Sequence, residues 1–378
     1  MTAARRTRPV TIVVAAGGTG GHLYPALAVA DEIRRTHPDA RIVFTGSRGK
    51  IESRVPPSRG YEFRPIWSGG FRRRLSAGTF LFPVKTVVAF LQSIVLLLRV
   101  KPDAVFGGGG YVSGPVVLAA AFLLIPTIIQ EQNSIPGATT KMLSRVATEV
   151  HVTFEETMRH LPSRKNVFLT GNPTRAELET ADRAEGAALF GFSPERTTLL
   201  VFGGSLGAHR INTAVRGALD GLAARSVQCI WQTGEKDADE IHAAVKGRNG
   251  VAVCSFIERM ELAYAASDLV LCRAGATTLA ELTRTGKPAI LVPYPYAAAD
   301  HQTHNARVLS DGGAAVMIPD RDLDERLAGV LFPLLDDPAR REEMSRKAKT
   351  FGKPNAARTL AAALLKRIDG GGGRQDGT

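Results

Sequence analysis

Short apolar runs rich in Val, Ile and Leu alternate with longer stretches of helical periodicity along the 378-residue chain. Residues 10–15 form a β-branched run that ends in Gly17-Gly18-Thr19-Gly20-Gly21, and 25–35 reads as a helix with Pro25 near its start. The plan recurs half a chain later. Residues 198–202 end in Gly203-Gly204-Ser205-Leu206-Gly207, and 211–223 reads as the next helix. Further strands are predicted at 41–45, 104–106 (followed by a glycine loop, 107–110), 127–129 and 167–170. After the second loop they fall at 227–232, 251–254, 269–272 and 289–292. Runs apolar on both sides suit buried parallel strands, so the fold class is α/β with two similar domains. The turn Gly171-Asn172-Pro173 divides them into 1–171 and 172–354, with a helix over 355–368 and a glycine-rich tail, 370–378, expected to be disordered. Ligands of open parallel sheets bind beyond the carboxyl ends of the strands, where both glycine loops lie. One substrate per domain follows as an expectation.

Composition narrows the class. The net charge of +12 is unevenly spread: residues 1–100 carry 16 basic and 5 acidic residues, 101–174 carry 6 and 5, and 175–378 carry 26 of each. A basic first hundred residues suits an anionic partner, either nucleic acid or a membrane face. Cys229, Cys254 and Cys272 form no CxxC pair, which excludes a disulfide scaffold and fits a reducing compartment. The apolar stretches 86–98 and 116–129 fall short of the ~18–20 residues of a spanning helix, and no signal peptide is recognisable.

The glycine loops suit phosphate, because a strand–loop–helix turn presents backbone N–H groups and the positive end of a helix dipole. Glycine there also serves tight packing, so one loop alone says little. Neither loop fits a Walker motif: Gly49-Lys50 is followed by Ile51. The dinucleotide pattern fails as well, since Leu23 stands where its third glycine belongs. A stronger site is Arg273-Ala274-Gly275-Ala276-Thr277-Thr278-Leu279-Ala280-Glu281, a helix start able to hold a diphosphate. Glu281, about a turn and a half in, is placed to accept both hydroxyls of a ribose; otherwise it is a solvated helix residue. His301 and His304 are three apart, as a metal pair could be, but no third ligand is evident, and no bound metal or other cofactor is expected. The D-x-D patterns at Asp237/Asp239 and Asp320/Asp322/Asp324 read as solvated surface.

In order, GGTGGH (17–22), GGYVSGP (109–115), Glu131-Gln132-Asn133, Gly171-Asn172-Pro173 with Arg175, GGSLGA (203–208), 273–281 and DHQTHNA (300–306) resemble the MurG family. These are the bacterial undecaprenyldiphospho-muramoylpentapeptide N-acetylglucosaminyltransferases, and the likeness covers about residues 10–360. It implies a glycosyltransferase-B fold, two Rossmann-like domains facing across a cleft, with the C-terminal helix returning to the first. It implies UDP-N-acetylglucosamine as donor, lipid I as acceptor, and an inverting transfer that yields lipid II without a catalytic metal. Residue by residue, it implies that Glu281 holds the ribose, and that Ser205 and the backbone of 276–280 (Ala276, Thr277, Thr278, Leu279, Ala280) approach the diphosphate. Ile257 would meet uracil through its backbone, Gln302 the sugar hydroxyls, and Arg175 the donor. Thr19, Gly20, Gly21 and Asn133 would line the first domain's side of the site. The family often has His before Glu-Gln-Asn; here Gln130 stands there.

An inverting transfer needs a base for the acceptor hydroxyl. His22, closing the first glycine loop, is the candidate; binding acceptor phosphate or capping the helix are its alternatives. Arg72, Arg73, Arg74 and Lys85 flank an apolar stretch that includes Leu75, Phe80 and Phe82. Cations beside apolar residues suit an anionic membrane surface, which places the protein peripherally on the cytoplasmic face of the bacterial plasma membrane and removes nucleic acid as the partner. Other cell-wall synthesis proteins are candidate partners. A different membrane-associated glycosyltransferase-B enzyme with a lipid acceptor is the alternative function, but is not expected to carry this ordered motif set.

Overall fold

The structure is a computed structural model that describes residues 8–67 and 82–370. The chain divides into two compact units, Met1–Thr174 with Pro354–Thr378, and Arg175–Lys353.

The first unit is built on a seven-stranded, all-parallel sheet. Its strands are β1 (Thr11–Ala16), β2 (Arg41–Gly46), β3 (Glu62–Pro65), β4 (Ala104–Gly109), β5 (Thr127–Glu131), β6 (Glu149–Val152) and β7 (Val167–Leu169), in the order β3-β2-β1-β4-β5-β6-β7. The order reverses between β1 and β4, which makes the loop after β1 the switch point. β1 sends Ile12 and Val14 to one face and Val13 and Ala15 to the other, and all four are buried. Helix α1 (Gly20–Thr36) covers the first face; α2 (Phe82–Val100) and α3 (Ser113–Phe122) cover the second.

Two local expectations change here. Helix α1 starts at Gly20, so Gly20, Gly21 and His22 form its first turn, and Pro25 lies inside the helix rather than at its head. Glycine has little intrinsic helix preference, which hides this turn from a pattern reading. Gly107, Gly108 and Gly109 continue β4 rather than forming a loop. They are small because neighbours are close: a Cβ at Gly107 would lie 2.7 Å from Val117, and one at Gly108 2.8 Å from Ala16 and 2.9 Å from Ala26. These glycines serve packing, and the third phosphate loop expected at 107–110 is reduced to Gly110.

The second unit carries a six-stranded parallel sheet of β8 (Thr198–Phe202), β9 (Gln228–Gln232), β10 (Val251–Cys254), β11 (Leu269–Cys272), β12 (Ala289–Leu291) and β13 (Ala315–Met317), ordered β10-β9-β8-β11-β12-β13. Its switch point lies after β8, before α4 (His209–Ala224). Three helices carry site residues: α5 (Met260–Ala266), α6 (Ala276–Thr285) and α7 (His301–Asp311). The last helix, α8 (Ala356–Gly370), belongs to the first unit, where Leu360, Leu364 and Ile368 join the core beneath α1. Arg367 ties it down through a 2.6 Å bond from Nε to Glu149 on β6. The tail 371–378 lies outside the described residues. Among the described residues, no helix is long and apolar enough to cross a membrane.

Candidate active site

In the first unit the loop after β1 rests on a residue that sequence reading missed. Glu52 is fully buried, and its carboxyl group accepts from Gly18 N–H at 3.1 Å and Ser47 N–H at 3.2 Å. A Cβ at Gly17 would fall 2.5 Å from that carboxyl group, so glycine is required there. Part of the loop's donor capacity is thus spent internally on Glu52. Thr19 occupies the N-cap position in extended conformation, exposed, with its side chain making no cap bond.

His22 follows on the first turn of α1. Its Nδ1 lies 2.9 Å from Oε1 of buried Gln132, just after β5. Gly109 and Gly110, both at positive φ, let the imidazole close on the backbone: a Cβ on Gly109 would meet Nδ1 at 2.5 Å. Asn133 is anchored beside it. Its N–H and Nδ2 donate to Glu131 at 3.1 and 3.2 Å, and Glu131 also accepts from Gly137 N–H and the Thr140 hydroxyl. Four bonds to one buried carboxyl group hold the 131–140 segment in place.

In the second unit, Glu281 lies in the second turn of α6 and is 7% exposed. Tyr264 on α5 donates to its Oε2 at 3.1 Å, and Arg175 Nε lies 3.9 Å from Oε1. Arg175 also approaches Glu261 at 3.5 Å. Burial pushes the Glu281 carboxyl above its ordinary range, an effect that Arg175 and the Tyr264 hydroxyl oppose and Glu261 reinforces. Glu281 is therefore no solvated helix glutamate. The Tyr264 hydroxyl is itself held far above its usual value, chiefly by burial, and remains a donor. Arg175 thus sits between two carboxyl groups.

The start of α6 follows β11 through Gly275, whose extended conformation caps the helix. The Leu279 N–H closes on Gly275 O, so the turn formed by Ala276, Thr277 and Thr278 is the end where N–H groups precede the helix ladder. The side chains of Ala276 and Leu279 are buried, leaving backbone as their means of contact, and Ala280 is half-buried. In the loop after β8, Ser205 and Leu206 are exposed. Buried Gln232 links this loop to Ile257: its Nε2 donates to Gly204 O at 2.7 Å, and its Oε1 accepts from Ile257 N–H at 3.3 Å. The N–H of Ile257 is thus engaged by Gln232. Gln302 on α7 accepts from Tyr294 N–H at 2.9 Å and fastens the proline loop. His301 Nδ1 contacts Ala298 O at 2.6 Å.

Of the D-x-D aspartates, Asp239 and Asp324 are exposed as expected, but Asp237 and Asp320 are not solvated. Asp237 accepts from Asn212 at 2.7 Å and faces His209 at 3.1 Å; Asp320 pairs with Arg273 and Arg210. Both are mostly buried by partners from other elements. Of the residues ascribed to a membrane patch, Arg72, Arg73, Arg74, Leu75 and Phe80 lie outside the described residues; Phe82 opens α2, and Lys85 is half-buried, its Nζ over the Trp67 ring.

Comparison with known proteins places these units. Residues 12–152 match the glycosyltransferase family 28 N-terminal domain, and 198–360 match its C-terminal domain. The UDP-N-acetylglucosamine--N-acetylmuramyl-(pentapeptide) pyrophosphoryl-undecaprenol N-acetylglucosamine transferase of Salinibacter ruber is 43% identical, covering 96% of this chain and 98% of its own. The protein of the same name from Chlorobium luteolum is 46% identical, covering 94% and 98%. The crystal structure of Acinetobacter baumannii MurG matches with a TM-score of 0.73 at 31% identity, over 95% of this chain and all of that one. With both domains matched and the likeness running almost end to end, the chain belongs to glycosyltransferase family 28, among the MurG enzymes with the glycosyltransferase-B fold.

Proposed function

We propose that this chain transfers N-acetylglucosamine from UDP-N-acetylglucosamine to the muramoyl sugar of lipid I, releasing UDP and forming lipid II with inversion. Identity of 46% across nearly the whole chain carries the reading. The second unit takes the donor. Glu281 accepts from the ribose hydroxyls, its charge maintained by Arg175, while the start of α6 and the Ser205 loop receive the diphosphate. Gln302 meets the sugar, Ile257 the base. The first unit takes the acceptor, with His22 as general base, and supplies Thr19, Gly20, Gly21 and Asn133 as further donor-binding residues. Transfer of radiolabel from UDP-N-acetylglucosamine to a lipid I analogue tests the reaction; no labelled lipid under any condition overturns it. Diphosphate departure relies on protein dipoles, so EDTA leaves the rate unchanged; loss of activity that Mg²⁺ restores would refute this.

Acceptor access is the work of α2. Val84, Val87, Leu91, Val95 and Leu98 form one exposed stripe at helical spacing, while Ala89, Leu97 and Val100 on the other side are buried. Exposed Phe122, the last residue of α3, and Leu124 beyond it extend the apolar area, and Phe122 meets Phe90 edge-on. An apolar stripe of this extent with basic neighbours suits a peripheral seat on an anionic membrane.

A further inference from the structure

We infer that Gln132 is a positioning residue for the transfer, fixing His22 in the tautomer that carries its proton on Nδ1 and its lone pair on Nε2. The inference rests on the reading of His22 as base.

The orientation of the Gln132 amide is set by a group that cannot donate. Its Nε2 lies 2.7 Å from the carbonyl oxygen of Gly108, and a carbonyl only accepts, so the nitrogen must face Gly108. The amide oxygen then faces His22 Nδ1 at 2.9 Å, and only a protonated Nδ1 can complete that bond. A second relay backs the first. The other Nε2 hydrogen of Gln132 is directed at Oε1 of Gln130, whose own Nε2 donates to Asn172 at 3.1 Å and to Thr153 at 3.3 Å. Every link runs the same way, from His22 through Gln132 and from Gln132 through Gln130 to Asn172. Gln130, Gln132 and Asn172 are 1–3% exposed, so water cannot scramble the pattern. Gly109 adds a steric wall against Nδ1.

The relay is neutral throughout. Among the described residues, the group that Nδ1 meets is an amide, where a Ser-His-Asp triad has a carboxylate. Of the titratable groups on the surrounding elements, Glu52 binds Gly18 and Ser47, and Glu131 binds Asn133, Gly137 and Thr140. The Tyr111 and Tyr24 rings lie against Gly18 and Gly20. Gln132 therefore orients the imidazole without adding charge. Both the neutral base and the imidazolium formed after proton transfer keep Nδ1–H, so the bond persists through the step.

The test combines the tautomer with the turnover of the full chain. Nitrogen-15 NMR of imidazole-labelled protein, with His22 assigned by loss of its signals in His22→Asn, is expected to show neutral Nδ1–H alone. In Gln132→Leu, both tautomers appear and kcat falls about 10- to 100-fold, with KM for UDP-N-acetylglucosamine unchanged. A wild-type Nε2–H tautomer, or unaltered kcat and tautomer in Gln132→Leu, overturns the proposal. If Gln132→Leu fails to fold, the wild-type tautomer alone decides, and Nε2–H overturns the proposal equally. Near-normal turnover in His22→Asn defeats the base reading instead, and leaves the tautomer result to stand by itself.

Discussion

Glu281 shows what a binding carboxylate costs at the scale of one residue. Burial raises its carboxyl, so at neutral pH the ionised form works against folding, and only Arg175 and Tyr264 offset this. Glu281→Gln removes that charge and half of the ribose recognition. Donor KM is expected to rise roughly 10- to 100-fold, as for the ~1.5–3 kcal/mol of a charged hydrogen bond, while the melting temperature does not fall. A variant that melts early would assign Glu281 to structure instead. His151 behaves oppositely. It is buried on β6, bonded to Thr170 and Glu149, and burial lowers its pKa below 6.5 despite Glu149. The unfolded chain takes up this proton more readily, so the first unit loses stability as pH falls through about 6.5 and below. Melting curves between about pH 5 and 8, with His151→Gln flattening the slope, check the sign. At Gly207, φ is +75° and a Cβ would lie 1.9 Å from Thr233 O. Gly207→Ala should cost on the order of 2–4 kcal/mol and distort the Ser205 loop, measurable by urea unfolding.

At the scale of elements, what the sequence disclosed depended on range. Both glycine loops, the start of α6 and Glu281 stand out because their signal is local: an apolar strand, glycines, then a helix. Glu52, Gln232 and Tyr264 were invisible for the converse reason. Each acts on a loop or carboxyl group reached only through the fold, and nothing beside Glu52 in Ile51-Glu52-Ser53 marks it as the support of Gly18. Asp237 and Asp320 of the D-x-D patterns escape a local reading likewise, because His209, Asn212, Arg210 and Arg273 come from other elements, whereas Asp239 and Asp324 are exposed as expected. Helix α2 was legible as an apolar stretch, but only the fold separates its buried side from the exposed stripe. Val87→Asp with Leu91→Asp should abolish sedimentation with anionic vesicles while transfer to a soluble acceptor analogue continues; retained vesicle binding would place membrane contact elsewhere.

For the whole molecule, the uneven charge now has a structural counterpart. The basic first unit also carries the exposed stripe of α2, and the second unit, neutral in sequence over 175–378, carries the Glu281 site. Raising salt is expected to weaken vesicle binding and leave donor KM nearly unchanged, since only the former depends on many exposed cations. Equal salt sensitivity of both would mean that the basic excess serves the donor as well.

Helix α8 has a consequence for how the protein comes into being. The first unit is made of two segments that flank the second in sequence, whereas the second is continuous, Arg175–Lys353. On a ribosome that delivers residues in order, the second unit can be completed while the first still lacks Leu360, Leu364 and Ile368, and the core beneath α1 stays open until α8 emerges. A nascent chain stalled before α8 would therefore expose apolar surface to chaperones and proteases. Helix α8, made after the second unit, acts as the latch that finishes the unit begun first.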